Sequence, residues 1–218
     1  MRIAVAAGVL VIAGLARADS LADVRHATAT CDPTRAHCIG LALHVAAGDD
    51  GLIVTPDWIA AQVAAANRHF ARLDVGFQLA SVELLPASAA HVETRRDRDD
   101  LADGRLGGAV IHVFFVGKLD DVDVEGATAG GVTWHQRKDD RKYVIVSARA
   151  YDRTLAHELG HFFGLPHSSY AISIMNKSAR TDPPMDQRTF ADEEIEAMRP
   201  VLRRLLRDKI IADVTPGS

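Results

Sequence analysis

The chain has 218 residues, 48% hydrophobic and 25% charged, with few aromatics and a net charge of −4 when histidine is neutral. This composition supports one well-buried core, and once a leader is removed residues 19–218 read as a single domain. The slightly acidic balance leaves no overall basic field, which excludes nucleic acid as a partner.

Residues 1–18 read as a cleaved signal peptide. Arg2 gives a minimal positive start, an uncharged, largely apolar run follows, and Ala16-Arg17-Ala18 is a small-x-small cleavage site. The competing reading is an uncleaved anchor, but the run is shorter than the about 20 residues that span a bilayer. The expectation is a secreted or periplasmic protein with no stable membrane anchor. Cys31 and Cys38 are the two cysteines. In an oxidising compartment a close pair reads as one disulfide.

Residues 38–46 alternate Ile39, Leu41, Leu43 and Val45 against Gly40, Ala42 and His44, a period-two strand. Thr55-Pro56-Asp57 then starts a helix with a hydroxyl cap, a proline in the first turn and an acid at the positive end of the dipole. Ile59, Val63, Ala66 and Phe70 give that helix one apolar stripe. Residues 75–85 form the next strand, and strand, helix, strand in this order predicts a right-handed parallel crossover. Residues 86–108 carry the charge run Arg95-Arg96-Asp97-Arg98-Asp99-Asp100 without an apolar face and read as a solvated loop. Residues 109–116 are a buried strand, 126–135 a glycine-rich edge strand, and 143–147 a further short strand. Residues 192–210 place Ile195, Met198, Leu202 and Leu205 at helical spacing around Pro200, with Arg199, Arg203, Arg204 and Arg207 on another side, as in a kinked closing helix. His112 and His135 read as packed or surface histidines.

The segment His157-Glu158-Leu159-Gly160-His161-Phe162-Phe163-Gly164-Leu165-Pro166-His167 carries the chemistry. On a helix, His157 and His161 point to the same side and can grip one metal ion. Glu158 lies about 100° round from His157, where it can reach a water on that metal without ligating. Leu155, Leu159 and Phe162 fall on the opposite, packing side. Gly164 lets the helix stop in a left-handed turn, Pro166 forbids its continuation, and His167 can swing back as third ligand. Three neutral nitrogens with a fourth position left to water is the catalytic zinc pattern, so one zinc ion is expected.

These residues resemble the extended zinc motif of the metzincin metallopeptidases, which has histidine at the first, fifth and eleventh places and glycine at the eighth. Ser173-Ile174-Met175-Asn176 is similar to the methionine turn of that family. The short gap from His167, and Ser168 directly after it, resemble the matrixin branch and its bacterial and archaeal relatives most. Lys177 stands where the astacin and serralysin branches carry a tyrosine ligand, so no such ligand is expected. The resemblance implies a zincin fold of mixed α/β and α+β character. It would comprise a twisted, mostly parallel five-stranded sheet, an active-site helix over residues 154–164 and a small C-terminal helical subdomain. It also implies a zinc endopeptidase in which Glu158 activates the zinc-bound water, acting on a peptide or protein. No cysteine-switch segment is visible, although one unpaired thiolate reaching the zinc is the alternative to the disulfide.

Two weaker sites complete the reading. Gly131, Val132 and Thr133, within Gly130-Gly131-Val132-Thr133-Trp134, could pair with an extended substrate, or could be an ordinary edge strand with a bulge. Asp120, Asp121, Asp123 and Glu125 could bind calcium or form a solvated acidic loop. The loop at residues 168–180 would help read the residue after the scissile bond. The alternative functions are a non-catalytic zinc-binding recognition module, which would gain nothing from Glu158, and a secreted structural or adhesion domain.

Overall fold

A computed structural model describes residues 21–214 apart from 29, 50, 139, 179 and 180. The leader expected at 1–18 lies outside the described residues. The main sheet contains β1 (His37–Gly48), β2 (Gly51–Leu52), β3 (Val75–Leu85), β5 (Ile111–Val116), β7 (Gly131–Gln136) and β8 (Arg141–Ser147). β4 (His91–Val92) and β6 (Lys118–Leu119) form a separate parallel pair. After a helical stretch at residues 21–27, four helices frame the sheet and the site: α1 (Pro56–Phe70), α2 (Arg95–Ala102), α3 (Thr154–Phe162) and α4 (Asp192–Arg207).

β3 pairs parallel with β1, β1 with β5, and β5 with β8; β7 closes the order as an antiparallel edge on β8. The five expected strands are therefore present, and the two-residue β2 adds a short antiparallel pairing to β1. The crossover from β1 to β3 runs through α1, whose Thr55 hydroxyl accepts the Trp58 N–H as its cap. Val113 and Phe115 of β5 and Val144 and Val146 of β8 join the core shared with α1, α3 and α4. Phe114, Val116, Tyr143 and Ile145 pack on the other face with Leu101 and Ala102 of α2.

The loop expected over residues 86–108 is a correction. The charge run is the helix α2, and its reason is local. Thr94 Oγ1 accepts the Asp97 N–H at 3.1 Å, and the Asp97 carboxylate accepts the Thr94 N–H at 2.8 Å, a reciprocal capping box. Its inward side is short: Arg98, Leu101 and Ala102 are buried. The Arg98 guanidinium lies 4.8 Å from the Trp134 ring and donates to the Asp120 carbonyl at 2.7 Å. A face made partly of arginine does not register as an apolar stripe. The closing helix continues through Pro200 and ends at Arg207.

His112 is packed, as expected: it lies in a hydrogen-bonded chain that runs from the exposed Glu83 through the buried His44 and His112 to the Gly107 carbonyl. His135 sits at the surface against Asp140.

Candidate active site

α3 is placed by a side chain from α1. The buried Gln62 amide donates to the Tyr151 carbonyl at 2.9 Å and accepts the Leu155 N–H at 3.0 Å, satisfying a donor in the helix's first turn. Leu155, Leu159 and Phe162 bury the rear of the helix. At its other end Gly164 has φ +93°. The Gly164 N–H reaches the His161 carbonyl and the Leu165 N–H the Gly160 carbonyl, each at 2.9 Å, which is a Schellman turn. A side chain at Gly164 would also meet Val201 of α4 at 3.2 Å. The helix therefore stops where the chain must reverse to carry His167 back.

His157, His161 and His167 converge, each offering a ring nitrogen within 4.8 Å of the others. His161 Nε2 and His167 Nε2 are 3.1 Å apart. Tetrahedral zinc with Zn–N of about 2.0–2.1 Å needs nitrogens about 3.3 Å apart, so the donor set fits such an ion. His157 Nδ1 lies 2.8 Å from the Ile174 carbonyl, and His161 Nδ1 lies 2.7 Å from that of Leu165. Carbonyls only accept, so both Nδ1 atoms carry the proton and both Nε2 lone pairs face the centre. Burial, the largest cause, holds His157 down at about 4 and lowers His161; the more exposed His167 is lowered as well, with the charge of Lys177 adding to its partial desolvation. All three are neutral near pH 7, as ligands must be.

Glu158 is 5% exposed, beside the cluster. Burial raises its carboxyl to about 7, against the opposing hydrogen bond of Thr133 and the charge of Lys177. Thr133 Oγ1 donates to the Glu158 main-chain carbonyl at 2.6 Å and lies 3.2 Å from its carboxylate. Gly131, two residues earlier on β7, leaves the space that the Glu158 side chain occupies. Thus Gly131 and Thr133 face the helix, while Val132 and Trp134 pack on the opposite core.

Met175 is fully buried beneath α3, and a Cβ on Gly160 would stand 2.7 Å from its sulfur. The turn is gripped from α4: Ser173 Oγ accepts the Met175 N–H at 2.8 Å and donates to the buried Glu194 carboxylate. Glu194 also accepts the Ala191 N–H that opens α4.

The matrixin family model matches residues 78–199, more than half of the chain. The chain belongs to the matrixin family. The fold of this matrixin is shared by an archaemetzincin from Methanopyrus kandleri at a TM-score of 0.54 and 19% identity, over 78% of this chain and 98% of that one. It is shared also by metalloproteinase-II from Bacteroides fragilis at 0.50 and 13% identity, over 80% of this chain and 56% of the other. No curated protein matches the chain at a significant level. Family and fold together make this matrixin a zinc metallopeptidase.

The remaining predicted residues are not all at the centre. Cys31 and Cys38 of the matrixin form a disulfide, which leaves neither as a thiolate ligand. The four acids at 120–125 do not converge. Asp120 pairs with Lys118 and His91, Asp123 with Arg95, and Asp121 accepts N–H groups of its own turn. Sequence reasoning missed Gln62 and Glu194, and also Arg153 and Arg188, which line the cleft beside Glu158. A lone buried-type glutamine on the stripe of α1, beside Val63, was the available signal for Gln62; the others lie outside any motif.

Proposed function

We propose that this matrixin is an exported endopeptidase, with His157, His161 and His167 holding one zinc ion and Glu158 acting as general base. When bound, zinc supplies a Lewis acid that polarises the scissile carbonyl and acidifies the attacking water. Glu158 takes the proton from that water and returns it to the leaving amine. Its raised pKa suits both halves of that task, since it can hold and release a proton near neutrality. The carrying observation is the pairing of three convergent neutral imidazoles with a buried carboxylate beside them.

The free edge of β7 supports an extended substrate as an added strand at Gly131, Val132 and Thr133. The leader at 1–18 supports export, and among the described residues no helix is long and apolar enough to cross a membrane. A non-catalytic recognition module would have no use for burying Glu158 at this place. Zinc-loaded chain on a quenched fluorogenic peptide library should give internal cleavage that a zinc chelator stops. Glu158→Gln should retain zinc and lose at least a thousandfold in kcat/KM. Near-normal hydrolysis by that variant removes the assigned base.

A further inference from the structure

The cleft beside Glu158 has a charge pattern that the hydrolytic step does not use. It measures about 960 Å³, and the sheet edge at Gly130 and Gly131, the helix residues His157 and Glu158, and Lys177 behind the methionine turn all line it. His161 and His167 do not line it, so it lies on the Glu158 side of the histidine cluster. The amine that receives its proton from Glu158 departs on that side. A side chain entering this cleft therefore belongs to the residue that contributes that amine.

Arg153, Arg188 and Lys177 give the cleft three cations. Apart from Glu158, the acid in its wall is Asp121, whose carboxylate is turned onto the N–H groups of Asp123 and Val124 at 2.9 and 3.2 Å. Arg153 lies 5.5 Å from the Tyr151 ring, and neither it nor Lys177 forms an ion pair with a carboxylate among the described residues. Arg188 is buried and donates Nε–H to the Pro183 carbonyl at 3.1 Å, which fixes its head group at the wall. Burial and then the charge of Arg188 act on Arg153, so the partly buried Arg153 guanidinium lies in the field of the buried Arg188. Such a field favours an anion, and a planar guanidinium receives a carboxylate through two parallel hydrogen bonds.

We infer that this matrixin selects aspartate or glutamate immediately after the scissile bond, the carboxylate being received by Arg153 within the positive field of Arg188 and Lys177. The inference rests on the peptidase reading above. Quenched peptides differing at that one position (Glu, Gln, Leu or Arg) are given to the zinc-loaded chain. The Glu peptide should exceed the Gln peptide at least tenfold in kcat/KM, the Arg peptide should be poorest, and the Glu advantage should shrink as sodium chloride rises. Arg153→Gln should bring the Glu-to-Gln ratio close to one. Equal turnover of the two peptides by the native chain, or an unchanged ratio in folded Arg153→Gln, overturns the inference. Should that variant not fold, Lys177→Gln, at an exposed position, decides by the same ratio. Fluorescence anisotropy of the same peptides on Glu158→Gln chain separates the two readings. Acid-selective binding without hydrolysis by the native chain refutes the peptidase and retains the acidic-residue site. Hydrolysis without acid selectivity does the reverse.

Discussion

At Gly131 the active site has no room for a methyl group. A Cβ there would stand 2.8 Å from Thr154 Cγ2 and 2.9 Å from Glu158 Cγ, both on the helix that carries the histidines. Gly131→Ala must move Glu158, and displacement of a reacting group by about 1 Å can cost about a hundredfold in rate. We expect kcat to fall at least tenfold with zinc stoichiometry unchanged, measured by steady-state kinetics beside metal analysis. The zinc motif was legible at this scale because His157, Glu158, His161, Gly164 and His167 obey a fixed local geometry. Gly131 was legible as a residue of a glycine-rich edge strand, but not as the space for Glu158, since that contact joins two distant segments. His69 offers a test of another kind. Burial first, then Arg68 and Arg153, holds it down at about 4. The unfolded chain, with a histidine pKa near 6.5, therefore takes up the proton first. The stability this group contributes is full above about pH 6.5 and is lost as the pH falls toward about 4. His69→Gln should flatten that decline by roughly 1–3 kcal/mol, read from urea melts at pH 7 and pH 4.5.

Among the elements, α4 does more than close the core. Its Glu194 holds Ser173, and the same turn presents the Ile174 carbonyl that fixes the His157 tautomer. Glu194→Ala leaves the Ala191 N–H and the Ser173 hydroxyl without their acceptor in a buried place, at a cost of roughly 2–3 kcal/mol. It should also speed zinc loss to a competing chelator, whereas a purely packing role would change the melt alone. The strands and α1 could be read from sequence because their periodicities of two and 3.6 are set by burial on one side or both. α2 could not, because its buried side is built from Arg98 and two residues at its end, and its start depends on the Thr94 and Asp97 caps. Arg153 and Arg188 escaped for a related reason. They come from opposite sides of the metal motif in the chain and share a wall only after folding.

For the whole molecule, the histidine cluster lies outside both apolar cores, which close on the two faces of the sheet without it. The fold should therefore survive chelation. Zinc at a hundredfold excess over Kd contributes about 2.7 kcal/mol, which for a chain of this size is roughly 5–10 °C in Tm. Chelator should lower Tm by that amount while the far-ultraviolet circular dichroism at 25 °C is retained; loss of that signal would mean that the metal holds the fold. The Ser173 and Glu194 link has a further consequence, in time rather than in space. A ribosome that has extended the chain through Met175 has already made every histidine of the cluster. The carboxylate that locks their supporting turn is still to be synthesised, and it arrives with α4. The turn beneath the histidines is thus completed only after a segment that follows all three of them in the chain has been made.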